Sequence, residues 1–415
     1  MTPHTIFRYN KKQQNQYYTR TGISVDIQNI GKNTELIAVK EKESVQQITP
    51  GVKLVTKVLT FSDGSFSNVY DLSWDPTYSN LLPVIHSSNK SYSLHDTMQD
   101  DENKIAIING SFFFLTDVSD STPKDLIYNL CIREGKIIGL PSEDQPIVYI
   151  ANKKLHAVTP KPRGTMKIGS HRFSWVGAKS LSNSTKSGAA VLYNSRCSEI
   201  MKVRDSRTNV QIGILDNKHI TTPKAKDVYD LVITADKKGN LIVSQINEKG
   251  GTHYFAGNFI LQMKGKNSEF VVGDSLTDVT LDGLVLDTMT SAISIGKKIN
   301  DPFFFEPANI NRRDARSVIA EDINGHLHFI VFDGSKYIPG FTGVSAKMIK
   351  SYFSKKYFAW AYFLDGGGSS RLIVREKADL HVLANLFAFR KFDELHLWDW
   401  KFARKVASSI SLSHV

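Results

Sequence analysis

The sequence predicts an α+β fold, a single large domain with a mixed, strand-rich sheet and flanking helices. Three observations carry that prediction. Short apolar or alternating runs recur between turn signals from "ITPGVKLVTKVLTF" (residues 48–61) onward, two segments read as β-hairpins, and one stretch has helical spacing. No repeat occurs at a fixed period, and 415 residues leave ample chain for one large elaborated domain or two smaller ones.

Taken in order, residues 1–45 are polar, rich in Gln, Asn and Lys, and aperiodic, which predicts a loosely attached arm ahead of a domain spanning 46–415. Tyr9, Tyr17 and Tyr18 lie among basic residues there, so the arm can serve homo-oligomer or virion assembly as well as hang free. "KIAIINGSFFF" carries the buried-strand run Ile105 to Ile108, stopped by Asn109-Gly110. "YDLVITADKKGNLIVSQI" (229–246) is a hairpin with a Lys-Gly-Asn turn. "ARSVIAEDINGHLHFIVFDG" (315–334) is another, turning at Asn324-Gly325, so that its second strand delivers Asp333-Gly334 at the far end. Val344, Met348, Ile349, Tyr352 and Phe353 follow helical spacing behind Ser345 as N-cap, predicting a helix to about Lys355. The next stretch, "AYFLDGGGSSRLIV" (361–374), reads as strand, glycine loop, strand.

Composition narrows the function classes. The chain carries 52 basic and 41 acidic residues, a net +11, which favours polyanionic partners such as phosphorylated glycans. Nucleic acid is the weaker reading, because the lysines are scattered and no nucleic-acid module is visible. Two cysteines, Cys131 and Cys197, allow one bridge but neither a disulfide framework nor a cysteine zinc site. No apolar run reaches the roughly 18 residues of a membrane span. The amino terminus lacks the apolar core of a signal peptide, so a cytoplasmic or virion-associated protein is expected.

The glycine loop holds the first chemical signal. Gly366, Gly367 and Gly368 can let backbone N–H groups converge into a nest for phosphate oxygens, with Ser369 and Ser370 adding hydroxyls and Asp365 projecting into the same space. The plainer alternative is a tight turn whose aspartate caps its own backbone. His326 and His328 alternate on one strand face with no third ligand near in sequence and read as structural. "QDDENK" (99–104) reads as a solvated loop.

Six segments taken in order resemble the phosphodiester glycosidase family: "AIINGSFF" (106–113), "VVGD" (271–274), "RDARS" (313–317), "IVFDG" (330–334), "FLDGGGSS" (363–370) and "RKVASSISL" (404–412). "ITPGV" (48–52) and "AVLYN" (190–194) are weaker landmarks, so the resemblance spans about residues 48–412. It implies hydrolysis of a sugar joined through its anomeric carbon to a phosphodiester, N-acetylglucosamine among the sugars. The implied catalytic residues are Asp365, Asp333 and Arg316. Asn109, Gly110, Arg313, the loop residues 366–370 and, more weakly, Asp274 are implied on the substrate.

These residue types suit that chemistry. Glycosidic cleavage builds positive charge on the sugar ring, so carboxylates must face the anomeric centre. A departing phosphate needs charge stabilisation, which guanidinium groups supply bidentately and fixed amide dipoles reinforce. Asn109 can hold a sugar hydroxyl or N-acetyl group. No cofactor is required, although Asp274, Asp333 and Asp365 can share a divalent ion if the fold brings them together. The plain counter-readings are surface pairing of Arg313 and Arg316 with Asp314 and Glu306, and a strand-closing role for Asp333. The sequence departs from the family pattern at Ala315 (proline), Ser317 (threonine), Ser335 (arginine) and Lys405 (proline). Those departures keep open an alternative function, an inactive phosphoglycan-binding or virion-structural module of the same fold.

Overall fold

In a computed structural model of the protein, two antiparallel sheets face each other at the heart of the molecule. The structure describes residues 38–113, 127, 129–180, 189–194, 221–253, 258–299, 312–334, 340–354, 357–384 and 404–414, together with three strand pairs at 16–18/24–26, 200–204/211–215 and 387–391/394–397. Tyr9, Cys197, Glu306 and Ser335 lie outside these residues.

The strands that position the site are β1 (Ala38–Thr49), β2 (Val52–Phe61), β3 (Phe66–Trp74), β4 (Leu81–Tyr92), β5 (Lys104–Asn109), β6 (Arg316–Asp322), β7 (Leu327–Asp333), β8 (Phe358–Phe363), β9 (Leu372–Glu376), β10 (Asp379–Leu383) and β11 (Val406–His414). One sheet has the order β8-β6-β7-β3-β2-β1, and the facing sheet has β10-β9-β5-β11-β4. Inward residues alternate along each strand, as a two-layer packing requires. Leu54, Tyr70, Leu72, Phe329 and Val331 from the first sheet meet Ala106, Ile108, Leu372, Val374, Ile410 and Leu412 from the second in one core. Each outer face carries one helix. α1 (Leu94–Gln99) sets Leu94 and Met98 on Ile107 and Ile373, and α2 (Ala346–Ser354) sets Ile349 and Phe353 on Val318, Ile330 and Phe332.

Residues between β5 and β6 build a second core of seven-stranded and five-stranded sheets. The two cores share strands 147–151 and 292–294. Val148 and Ile293 point into the first core, whereas their neighbours Ile147 and Ala292 point into the second. That is the period-two alternation of a strand buried on both faces.

The architecture corrects the α+β expectation. The fold is mostly β: among the described residues the only α-helices are α1 and α2, and in the named sheets only Trp175–Gly177 against Ala190–Leu192 runs parallel. The helical signal at 344–355 was real but local. α2 starts behind Ser345, whose hydroxyl accepts the Met348 N–H at 3.3 Å. The arm boundary also moves. Ala38–Thr49 pairs with β2 over its length, so the polar alternation ahead of residue 45 is an edge strand and not loose chain. No helix among the described residues is long and apolar enough to cross a membrane.

Candidate functional site

The glycine loop is the bridge between the two facing sheets. β8 leaves the first sheet at Phe363, residues 364–371 cross over, and β9 begins in the second sheet at Leu372. Leu364 N–H donates to the Ser317 carbonyl at 2.9 Å on one side, and Asp365 N–H donates to the Gly110 carbonyl at 2.9 Å on the other. The crossing ends at one pole of the sandwich, where β5 ends at Asn109, β6 begins at Arg316, β7 ends at Asp333 and β11 approaches through Arg404.

Asn109 is the hub of that pole. Its side chain is fully buried, and it donates from Nδ2 to the Asp365 carbonyl at 2.7 Å. Its Oδ1 accepts the Ser317 hydroxyl at 2.6 Å and the Arg371 amide at 3.1 Å. A carboxamide so engaged inside the protein serves the fold of this pole. Gly110 is bare for the same close packing, since a Cβ there would stand 2.6 Å from Ser408 Oγ and 3.1 Å from Ile293 Cδ1. Ser317, where the family has threonine, keeps the hydroxyl that this hub uses.

Four of the loop's amides have partners inside the protein. Gly366 N–H donates to Asp365 Oδ1 at 2.9 Å, Gly367 N–H to the Ala315 carbonyl at 2.8 Å, Ser369 N–H to Gly366 O at 3.3 Å and Ser370 N–H to Gly367 O at 3.1 Å. These amides are spent within the chain. Asp365 does cap its own backbone, as the plainer reading had it.

The glycines are bare for another reason. A Cβ at Gly366 would lie 3.1 Å from Arg316 Nη1. Gly367 has φ +60°, where a side chain is strained, and its Cβ would lie 3.4 Å from Asp314 Oδ2. At Gly368 the added carbon would stand 2.9 Å from Cζ, 3.0 Å from Nε and 3.1 Å from Nη2 of Arg404. The triplet makes room for two guanidinium groups and a carboxylate packed against main chain.

Asp365 sits among these charges. Burial raises its carboxyl above the ordinary value of 3.8, opposed by the Ser369 hydroxyl, which lies beside it without a well-formed hydrogen bond, and then by Arg404, the Gly366 amide and Arg316. Burial in turn pulls the Arg316 guanidinium below its usual value, opposed by Asp314 and Asp365, with Arg312 pulling the same way as burial. Arg316 Nη2 donates to the Arg312 carbonyl at 3.1 Å, while its Nε is buried with no partner. The Ser370 hydroxyl is also buried and unpartnered.

Asp333 reaches the same pole from the core side. It is 2% exposed, takes the Gly334 N–H on Oδ1 at 2.8 Å, and faces Arg371. Burial lowers the Arg371 guanidinium to about 10, opposed by Asp333. Gly334 lets the chain pass so closely that a Cβ would stand 2.0 Å from the Gly343 nitrogen.

Two expected members are elsewhere. Arg313 is locked on the β2–β3 turn, donating to Asp63 at 2.8 Å, to Thr342 Oγ1 at 2.9 Å and to the Ser65 hydroxyl, with Phe61 under its guanidinium at 5.4 Å. These contacts commit its donors to the fold. Asp274 lies in the second core's sheet system and accepts the Val271 N–H at 2.9 Å as the cap of its own turn. The carboxylate trio weighed for a divalent ion is therefore not assembled. Among the described residues no group of three or more His, Cys, Asp or Glu side chains is arranged to hold a metal. His326 and His328 are paired with Asp75, Asp322 and Asp71 at the opposite pole. A cavity of about 530 Å³ lined in part by Trp74, Asn80, Lys153 and Lys154 opens at that far pole as well.

Three charged residues at the site were missed from the sequence. Arg404 heads the last quoted motif, Arg371 follows the glycine loop directly, and Asp314 stands between the two quoted arginines; motif position pointed at each, but only tertiary packing sets them on the loop.

Comparison with known proteins supplies the context. The sequence model described as phosphodiester glycosidase matches residues 198–410. Among solved structures, a Burkholderia pseudomallei protein described as exported superposes with a TM-score of 0.55 at 13% identity, covering 94% of this chain and 98% of that one, which shows a shared fold. A hypothetical protein from Synechocystis gives 0.49 at 13% identity over 91% of this chain and 69% of that one. The catalytic domain of zebrafish N-acetylglucosamine-1-phosphodiester alpha-N-acetylglucosaminidase, auto-inhibited by its pro-peptide, gives 0.39 at 10% identity over 95% and 89%. No curated protein sequence matches the chain.

Proposed function

We infer that this chain, which belongs to the phosphodiester glycosidase family, hydrolyses the bond between a sugar's anomeric carbon and a phosphodiester, releasing the sugar and leaving a phosphomonoester. The observation that carries this reading is that the Arg316 and Arg404 guanidinium groups, seated against Gly366 and Gly368, both act on the Asp365 carboxyl. A carboxylate with two cations near it is the set of groups that the two halves of the substrate call for.

In this reading Asp365 answers the positive charge that grows on the sugar ring, as nucleophile or base. Arg316 faces the departing phosphate, and Asp314 holds that guanidinium charged against the cost of its burial. Asp333 acts through Arg371 as a positioning residue, because its buried carboxylate faces that guanidinium. Asn109 and Gly110 hold the loop in place. The net charge of +11 favours a phosphate-containing surface glycan as the natural substrate.

The test is release of reducing sugar from a glycosyl-1-phosphodiester and from phosphoglycan polymers by the purified chain. Freed sugar from wild type, lost in Asp365→Asn with the fold retained, is the expected result. Retention of phosphoglycan without any sugar release would instead assign the protein to the binding or virion-structural alternative.

A further inference from the structure

We propose that Arg404 is the phosphate anchor of this site, gripping the phosphoryl oxygens of an incoming ester from the outer side of the glycine loop; the inference rests on the reading of the site as a glycosyl phosphodiester site.

Five arginines have side chains at or near this pole, and the structure separates them by what their donors already do. Arg313 is committed to Asp63, Ser65 and Thr342. Arg371 is 6% exposed and faces Asp333. Arg316 is half-buried, with Nη2 on the Arg312 carbonyl and Nε buried. Arg312 and Arg404 are both exposed, but Arg312 pairs with Asp314 at 3.5 Å, whereas among the described residues no carboxylate lies within salt-bridge distance of Arg404.

Its placement is nonetheless specific. Cζ, Nε and Nη2 stand at nearly equal distances, 2.9 to 3.1 Å, from the position a Gly368 Cβ would take, so the plane of the guanidinium lies against the bare backbone. In that pose Arg404 is also the strongest cation acting on Asp365. A planar fork held by its face keeps its edge donors for a bidentate anion, which is the geometry a phosphoryl group requires. Arg316 and Arg404 then bracket the ester, one half-buried and one exposed.

Inorganic phosphate serves as the probe, with calorimetric titration of the full chain and, separately, steady-state hydrolysis of a glycosyl-1-phosphodiester. Arg404→Ala is expected to weaken phosphate binding about tenfold or more and to raise KM by a similar factor. Arg404→Lys, which keeps charge but not the fork, should recover only part of the affinity. Gly368→Ala, which leaves the arginine in the chain but takes its seat, should weaken phosphate binding as well. Phosphate affinity unchanged in Arg404→Ala overturns the proposal. Wild type that hydrolyses the ester but binds no phosphate also overturns it while the activity stands. Wild type that binds phosphate through Arg404 but frees no sugar supports the anchor and sinks the hydrolase reading.

Discussion

Asn109 Nδ2 lies 2.7 Å from the carbonyl oxygen of Asp365, a bond between the end of one sheet and the loop that leaves the other. With Ser317 and Arg371 on its Oδ1, that one side chain ties together the strand that launches the loop's neighbour Arg316 and the strand that receives the loop. The site is thus held by the same polar contact that holds the two sheets in register at this pole.

Truncating that hub is the first prediction. Asn109→Ala leaves a part-buried carbonyl, a buried hydroxyl and a buried amide without their partner, and each fully buried group costs roughly 1–3 kcal/mol. The expected loss is about 3 kcal/mol or more in urea unfolding. A loss within a few tenths of a kcal/mol would mean that the hub holds nothing together.

The glycine triplet yields a graded series. Gly368→Ala meets an exposed guanidinium that can swing out, so it should leave Tm nearly unchanged while activity falls. Gly366→Ala meets the half-buried Arg316, which is tied to the Arg312 carbonyl, and should cost both stability and activity. Gly367→Ala adds strain at φ +60°, about 1 kcal/mol. If Gly368→Ala proved the least stable of the three in thermal denaturation, the assignment of each glycine to its neighbour would be wrong.

Much of this arrangement was legible in the sequence, and the rest was hidden for identifiable reasons. The hairpins at Lys238–Asn240 and Asn324–Gly325, the buried run ending at Asn109 and the N-cap at Ser345 are local signals, and each stands in the structure. The strand-rich sheets expected from the short apolar runs stand, but the fold is mostly β rather than α+β, since among the described residues only α1 and α2 flank them. The loop was misread at the level of its hydrogen bonds. Three glycines announce close approach by something, but only the packing of β6 and β11 reveals that the approaching groups are Arg316 and Arg404. Arg313 shows the converse: the family resemblance implied a pair with Arg316, and Asp63, distant in sequence, claims it for the fold.

That separation of the two arginines gives a third prediction. The Arg313–Asp63 pair has side chains 14% and 6% exposed, and removing one member of so buried a pair costs about 3–5 kcal/mol. Arg313→Ala should therefore lower the unfolding midpoint strongly. The fraction that remains folded should keep its phosphate affinity. Loss of phosphate binding in a variant shown folded by circular dichroism would return Arg313 to the substrate site.

The raised carboxyl of Asp365 makes the last prediction one of pH. Burial lifts its value above that of the unfolded chain, so the native state holds this proton more tightly. Its stabilising contribution is complete at low pH and is lost as pH rises through the native value. The stability of wild type relative to Asp365→Asn should accordingly fall from about pH 4 upward, measured as a difference in Tm across a pH series. Catalysis by the ionised carboxylate carries the complementary sign: the acid limb of kcat/KM should lie above the position an unperturbed aspartate would give. Because Arg404 is the leading cation opposing the shift, Arg404→Ala should move that limb further toward alkaline pH. An acid limb left in place by that substitution would show that the guanidinium does not act on Asp365 in the working enzyme.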